Sequence, residues 1–379
     1  MGDDLEREAA VLRRQLVDAM LTEDLLTAPH WRAAFQEVPR HLFLPWFFNR
    51  LSSGDWSLVT SLDERWLPSV YQDRVLVTQL DGTEIARQAA ALGPVSGTPT
   101  CSSSMPTIMA IMLEALDVHS GHNVLEIGTG TGYNTALLCH RLGGDLVSTV
   151  DVDPDIVARA EENLSRAGYA PASVIGDGAL GHAANSPYDR VLCTCSVSRI
   201  PLPWLEQTVP GGQVVTTLNR PIGAGLVRLT ATGGPHAEGR VLLDDGRFMP
   251  LRAHRTAWSG WPRGPQTSRR QTELSARTLL RPGLRFEFYA GLLLPGVMPW
   301  TDEQGGTWLA HADGSWANYV EGVVVQGGPR SLWDLAETAY EQWDALDRPC
   351  RDRFGLTVTP EAQYFWLDTP DSPHRWPLA

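Results

Sequence analysis

Val124-Leu125-Glu126-Ile127-Gly128-Thr129-Gly130-Thr131-Gly132-Tyr133 is the stretch whose reading decides the fold. Four residues of strand character run into three glycines at alternate positions. Glycine permits a tight strand-to-helix turn and lets a ligand approach the backbone closely. A helix opening near Tyr133 aims its free N–H groups at that ligand. The spacing is E-x-G-x-G-x-G and not the dinucleotide fingerprint G-x-G-x-x-G, because Tyr133 stands five residues after Gly128. An acid two residues before the first glycine repels a pyrophosphate and suits an ammonium group, such as that of the methionine moiety of S-adenosylmethionine.

Downstream, two further acids follow two further strands. Leu146–Val150 reads as a strand ending in Asp151, placed where a carboxylate can accept both hydroxyls of a ribose. Val174-Ile175 reads as the next strand, and Gly176-Asp177-Gly178 follows it, where a carboxylate can accept from an adenine amino group. Three acids after three successive strands are far more specific than any one alone. Asp153 and Pro154 supply an N-cap and a first-turn proline for a helix reaching Ala167.

The surrounding pattern alternates strand and helix: Val124–Ile127, a helix over Tyr133–Leu142, then Arg190–Thr194, a short helix at Leu202–Gln207, and Val214–Leu218. Such alternation implies a mostly parallel sheet covered on both faces. Gly225–Ala231 and Gly239–Leu243 follow with no helix between them, which predicts an antiparallel edge hairpin. Upstream, Leu12, Leu16 and Met20 place a helix over Leu5–Thr22, and a second runs from Trp31 to Val38. Residues 46–97 read as irregular with short strands. Pro106–Leu116 reads as a helix that the run Ser102-Ser103-Ser104 can cap. Beyond residue 256, Trp258, Trp261, Pro262 and Pro265 with Arg269-Arg270 read as a linker. Leu284–Leu294 and Trp308–Val325 read as strands, and Leu332–Leu346 as an amphipathic helix. Three regions follow: 1–100, helical and substrate-side; 101–256, the core; and 257–379, an α+β extension expected to recognise the substrate peptide.

Composition excludes several functions. The chain of 379 residues has a net charge of −13, which argues against a broad basic surface for nucleic acid or anionic lipid. All basic side chains other than histidine are Arg; without Lys there is no Schiff base and no P-loop lysine. No apolar run has the length of a membrane span, and the acidic start leads into no secretory h-region, so a cytoplasmic protein is expected. The 5 cysteines are scattered, and Cys193-Thr-Cys195 has no second pair at zinc-site spacing, so no metal is expected.

From about Leu12 to Ser259 the ordered motifs resemble the protein-L-isoaspartate O-methyltransferases. Val38-Pro39-Arg40-His41-Leu42-Phe43-Leu44-Pro45 looks like that family's VPRHxFVP element, and Val70-Tyr71-Gln72-Asp73-Arg74 like its AYEDR. Pro187-Tyr188-Asp189, Pro210-Gly211-Gly212, Phe248-Met249-Pro250-Leu251 and Trp258-Ser259 match further elements. The resemblance implies an α/β, Rossmann-like S-adenosylmethionine-dependent methyltransferase fold, with S-adenosyl-L-methionine as cofactor and S-adenosyl-L-homocysteine as product. It places the cofactor on Cys101, Glu126, Gly128, Thr129, Gly130, Gly132, Asp151, Asp177 and Gly178. The family's substrate loop QTISAP corresponds to Cys101-Ser102-Ser103-Ser104-Met105-Pro106, so Ser104 inherits the active-site serine and Ser102 the threonine. Cys101 replaces the glutamine, which departs from recognition of an ordinary isoaspartyl residue.

The whole chain also resembles extended members that accompany ATP-grasp-made graspetides, and related ones serving lanthipeptides and lasso peptides. Gly327-Gly328-Pro329-Arg330-Ser331-Leu332-Trp333-Asp334 and Arg353-Phe354-Gly355-Leu356-Thr357-Val358 carry that likeness. It implies a macrocyclised ribosomal precursor peptide as partner, methylated on an aspartate to give an aspartimide. General isoaspartyl repair is the competing reading, followed by a nicotinamide oxidoreductase, which the spacing disfavours, and a catalytically silent cofactor-binding scaffold.

Overall fold

The computed structural model describes residues 2–83, 85–255, 264–283 and 285–378. The chain forms two compact units: Met1–Thr194 with Gln207–Val215, and Cys195–Glu206 with Thr216–Ala379. This partition differs from boundaries at 100 and 256.

Unit 1 contains two sheets. In the first, β1 (Trp46–Arg50), β2 (Trp56–Thr60), β3 (Leu76–Leu80) and β4 (Pro99–Ser103) lie in the order β2-β1-β3-β4, all pairs antiparallel. The Trp- and Pro-rich stretch is therefore more regular than expected, with short helices at Trp66–Val70 and Ala86–Leu92 between its strands. Phe48, Trp56, Leu80, Ala86 and Ala89 form a buried cluster there, which explains why the apolar residues follow no single period.

The second sheet follows the sequence reading closely. β5 (Val124–Ile127), β6 (Val147–Asp151), β7 (Ala172–Ile175) and β8 (Tyr188–Val197) pair in parallel in the order β8-β5-β6-β7. All four residues of β5 are buried, as a central parallel strand requires. The helices Tyr133–Leu142 and Pro154–Arg166 connect successive strands, and Asp153 caps the second through Asp155 N and Ile156 N. Helices Gly2–Thr22, Pro29–Glu37 and Pro106–Leu116 precede this sheet as expected.

The cap of Pro106–Leu116 is a correction. Ser102 and Ser103 belong to β4, the N-cap position is Met105, and no side chain caps it from there. The first free amide, Thr107 N, instead donates to Asp73 Oδ1 at 2.8 Å. The acceptor comes from 34 residues upstream, beyond any local capping pattern.

β8 and β9 (Thr208–Leu218) begin in unit 1 and end in unit 2. In unit 2 the expected hairpin is present as β10 (Gly225–Ala231) and β11 (Ala237–Val241). After it come β12 (Gln266–Gln271), β13 (Met298–Thr301), β14 (Thr307–Ala310), β15 (Trp316–Val320), β16 (Val323–Gly327), β17 (Phe354–Val358), β18 (Gln363–Leu367) and β19 (Arg375–Pro377). The hairpin is not a free edge, because β17, β18 and β19 add antiparallel beyond β11.

A separate five-stranded antiparallel sheet has the order β12-β16-β15-β14-β13. Trp300, Trp308 and Trp316 form a ladder across it: the first two stack 5.8 Å apart with planes 5° apart, and the second pair lies at 5.8 Å and 38°. Helix Leu332–Ala345 packs on the sheet with Trp333 stacked on Tyr319 at 4.8 Å.

Two expectations fail here. Arg269-Arg270 is not linker but part of β12, and Arg270 pairs with Asp334 and Glu337. Trp258, Trp261 and Pro262 of the expected linker lie outside the described residues, as does the Trp258-Ser259 motif, while Pro265 immediately precedes β12. The segment read as a strand at 284–294 is the helix Arg285–Leu293. Phe286 through Leu292 are all buried, so no polar face marks a period, and a short apolar run is ambiguous between strand and helix.

Candidate functional site

All the residues expected at the site fall in unit 1, and two elements bring them together. The first is the glycine turn. Gly128, Gly130 and Gly132 adopt φ of +96°, +54° and +85°, a region costly for any residue with a Cβ. A Cβ on Gly132 would also lie 3.3 Å from Ala160 O and from Leu164 Cγ. The turn is fixed at each end: Gly128 N donates to Val150 O at 2.8 Å, and Gly130 N to Asp151 Oδ2 at 3.2 Å. Thr194 Oγ1 donates to Gly128 O at 2.8 Å.

Glu126 underlies this turn. It is fully buried and accepts from Asn134 Nδ2 at 2.6 Å, from Thr149 Oγ1 at 2.8 Å, and from Thr135 Oγ1. Because Thr149 donates to Glu126, Thr129 Oγ1 is the donor in its 2.8 Å bond to Thr149. Both carboxylate oxygens expected to meet an ammonium thus serve donors of the chain itself. Burial pushes Glu126 up to about 7 despite those three bonds.

Asp151 ends β6 as expected. Its carboxylate accepts from Gly130 N and, at 3.2 Å, from Asp153 N, and burial raises its pKa. Asp177 is exposed beside buried Gly178 and accepts from Ala179 N at 3.0 Å. Around these acids Val152, Ile175 and Leu180 leave 39%, 59% and 64% of their surface exposed. Exposed aliphatic side chains flanking two carboxylates suit a nucleoside: apolar faces for the base, acceptors for its hydroxyl and amino groups. The residues present therefore fit S-adenosyl-L-methionine, with Asp151 and Asp177 as acceptors and the glycine turn beneath.

The second element is β4 and the bend after it. A Cβ placed on Gly130 would find Ser102 O at 3.6 Å and Cys101 Sγ at 3.9 Å, so the triple-serine strand lies directly against the glycine turn. Ser102 and Ser104 are half-buried, and neither hydroxyl makes a hydrogen bond within the described residues. Ser103 points the other way, with Arg40 Nη2 at 3.4 Å from its hydroxyl. Cys101 is buried, and burial pushes its thiol up to about 11. It lines a cleft of about 330 Å³ together with Thr78, Gln79, Gly130, Arg159 and Trp46. No cluster of His, Cys, Asp or Glu suited to a metal exists among the described residues.

Arg40 and Gln79 were not legible as site residues. Arg40 is buried and donates to Val70 O at 2.7 Å, Gln72 O at 3.2 Å and Ser104 O at 3.0 Å. It ties the Val70–Arg74 motif to the serine bend, so these two motifs meet through one guanidinium. Burial lowers Arg40 to about 10, which leaves it charged at neutral pH. The motif VPRH marked Arg40 as notable, but only the fold supplies its partners.

Comparisons with known proteins agree with this geometry. The family model "Protein-L-isoaspartate(D-aspartate) O-methyltransferase (PCMT)" matches residues 82–252. A protein-L-isoaspartate O-methyltransferase of Thermococcus onnurineus is 33% identical over 213 residues, 56% of this chain and 80% of the relative. One from Methanoculleus marisnigri is 34% identical over 223 residues, 58% and 81% respectively. A solved protein-L-isoaspartate O-methyltransferase superposes with a TM-score of 0.54 at 22% identity, covering 94% of this chain and all of that one. No helix among the described residues is long and apolar enough to cross a membrane. The chain belongs to the protein-L-isoaspartate O-methyltransferase family, and is an S-adenosyl-L-methionine-dependent protein carboxyl methyltransferase.

Proposed function

We propose that this enzyme esterifies an aspartate carboxylate of a ribosomally made, macrocyclised peptide in the cytoplasm, and that the ester closes to an aspartimide. The observation that carries the reading is the contact between Gly130 and Cys101-Ser102, which sets a substrate loop without the family's glutamine beside the cofactor turn. The sheets and helices of unit 2 after β11 supply further surface for a defined peptide.

An aspartate carboxylate is ionised at pH 7, so the nucleophile needs no general base. The bound cofactor supplies an electrophilic methyl group. The chain positions the carboxylate and removes water from it. Ser102 and Ser104 orient it through neutral hydroxyl donors, which withdraw less charge from the attacking oxygen than a guanidinium would. Arg40 holds the Ser104 backbone, and the Cys101 thiol, kept protonated by burial, offers no competing nucleophile. In the methyl ester, the backbone nitrogen of the following residue attacks the carbonyl. A C–N bond forms, the C–OCH₃ bond breaks, the nitrogen gives up its proton and methanol leaves. The five-membered ring forms readily because the two groups are adjacent in one chain.

General isoaspartyl repair is the second reading, favoured by the relatives, which carry that name at 33% and 34% identity. Mass spectrometry separates the two. Tailoring predicts that a macrocyclised precursor encoded beside an ATP-grasp ligase gains one methyl group and then loses methanol, whereas plain isoaspartyl peptides turn over poorly. Efficient turnover of unmodified isoaspartyl peptides would overturn tailoring in favour of repair.

A further inference from the structure

We infer that Asp73 is a positioning residue for Ser104: it sets the direction of the serine hydroxyl without touching either reactant. The inference rests on reading Ser104 as a donor to the substrate carboxylate, and it names what holds that donor in place.

Three alternate carbonyls of one segment converge on one guanidinium. Arg40 Nη1 donates to Val70 O at 2.7 Å and to Gln72 O at 3.2 Å, and Nη2 to Arg74 O at 3.4 Å. Between them, the Tyr71 hydroxyl lies 2.8 Å from Nδ1 of buried His41. With its neighbours on both sides tied down, Asp73 has a fixed backbone, and its carboxylate reaches across to helix Pro106–Leu116. There Oδ1 accepts from Thr107 N at 2.8 Å.

The same guanidinium grips Ser104 O at 3.0 Å through Nη2. One segment and its arginine thus hold the serine bend at two points, on either side of Met105-Pro106. A single anchor fixes a place but leaves the peptide free to turn about it; a second anchor removes that turn. The link between the two anchors is stiff. Proline locks its own φ and keeps the residue before it extended, and Met105 stands at φ −59° and ψ 129°. No side chain caps this helix from Met105, so Asp73 takes the place of a local acceptor for Thr107 N.

The Ser104 hydroxyl makes no hydrogen bond within the described residues. Its direction is therefore inherited from the backbone that these two anchors hold. Asp73 itself is exposed, so replacing it disturbs no packed core. A small rotation at Ser104 is enough to spoil the alignment of a carboxylate with a methyl group.

Steady-state methylation by the full chain tests this, with whichever of the isoaspartyl peptide and the macrocyclised precursor wild type methylates faster. Asp73→Ala is expected to lower kcat about ten-fold, as misplacement of a positioned group does. KM for the peptide and S-adenosylhomocysteine affinity are expected to stay at their wild-type values, which also checks folding. Asp73→Asn keeps an acceptor for Thr107 N and is expected to recover kcat to within about three-fold of wild type. A cap that only stabilised the fold would lower the urea midpoint without this split between kcat and KM. Because Asp73 acts through Ser104, adding Asp73→Ala to Ser104→Ala is expected to change kcat little. Unchanged kcat in Asp73→Ala, no recovery in Asp73→Asn, or a full further loss on top of Ser104→Ala overturns the proposal. Unchanged kcat in Ser104→Ala alone overturns the reading of Ser104 on which it rests, a result distinct from any of these.

Discussion

Gln79 and Asp153 share a buried hydrogen bond, Nε2 to Oδ2 at 3.0 Å, that joins the central strand region of the substrate-side sheet to the cap of helix Pro154–Arg166. Asp153 uses its other oxygen for the helix amides, and Gln79 Oε1 accepts from Thr100 at 2.8 Å. One amide thereby holds these two elements at a fixed separation. Replacing Gln79 by Ala removes a donor to a buried carboxylate oxygen and the acceptor of the Thr100 hydroxyl proton. The expected loss is about 1–3 kcal/mol, read as a lower urea midpoint, together with a raised KM for cofactor because Asp153 N also anchors Asp151. An unchanged midpoint would show that the bond contributes nothing.

Gly132→Ala tests the turn itself. The backbone there is left-handed, and an added methyl meets Ala160 and Leu164. Conformational strain alone costs about 1–2 kcal/mol, and the neighbouring helix must shift besides. If the turn cradles the cofactor, calorimetry should show S-adenosylhomocysteine affinity reduced well beyond the loss of stability.

Glu126 makes stability depend on pH in a stated direction. Its folded pKa, about 7, lies above the ordinary carboxylate value of 4.5. Between these values the folded state holds more protons than the unfolded chain, so stability falls as pH rises from about 4.5 to 7 and is flat on either side. The penalty above pH 7 is on the order of 3 kcal/mol. Glu126→Gln removes this titration, so the difference between wild-type and variant stabilities should change across that window and nowhere else. Parallel curves from pH 4 to 8 would refute the assignment.

Substitutions at Ser104 and Cys101 test chemistry and specificity separately. Ser104→Ala is expected to lower kcat by about ten- to a hundred-fold, somewhat less than removal of a dedicated oxyanion donor, with S-adenosylhomocysteine affinity unchanged. Unchanged turnover would instead fit a serine that only shapes the bend. Cys101→Gln restores the family's residue, and kcat/KM for a plain isoaspartyl peptide should rise.

What the sequence disclosed and what it withheld divide along a physical line. The glycine turn was legible because three closely spaced positions of positive φ are most easily written with glycine, and the cap of helix Pro154–Arg166 because Asp153 and Pro154 act within one turn. Asp73 capping Pro106–Leu116 and Arg40 gathering four carbonyls were not, since their partners lie tens of residues away and follow no period. Helix Arg285–Leu293 was misread because complete burial erased the polar face that marks a helix. Arg269-Arg270 looked like a solvated charge pair, yet Arg270 needs Asp334 and Glu337, visible only after the chain returns as a helix.

The row of indoles at Trp300, Trp308 and Trp316 has a practical corollary. Chromophores this close exchange excitation, and rings that are not parallel, such as the last pair at 38°, let that coupling contribute to circular dichroism. Their far-ultraviolet ellipticity is then a reporter built into the five-stranded sheet. Melting followed at that band would report on the loss of this sheet without any added label.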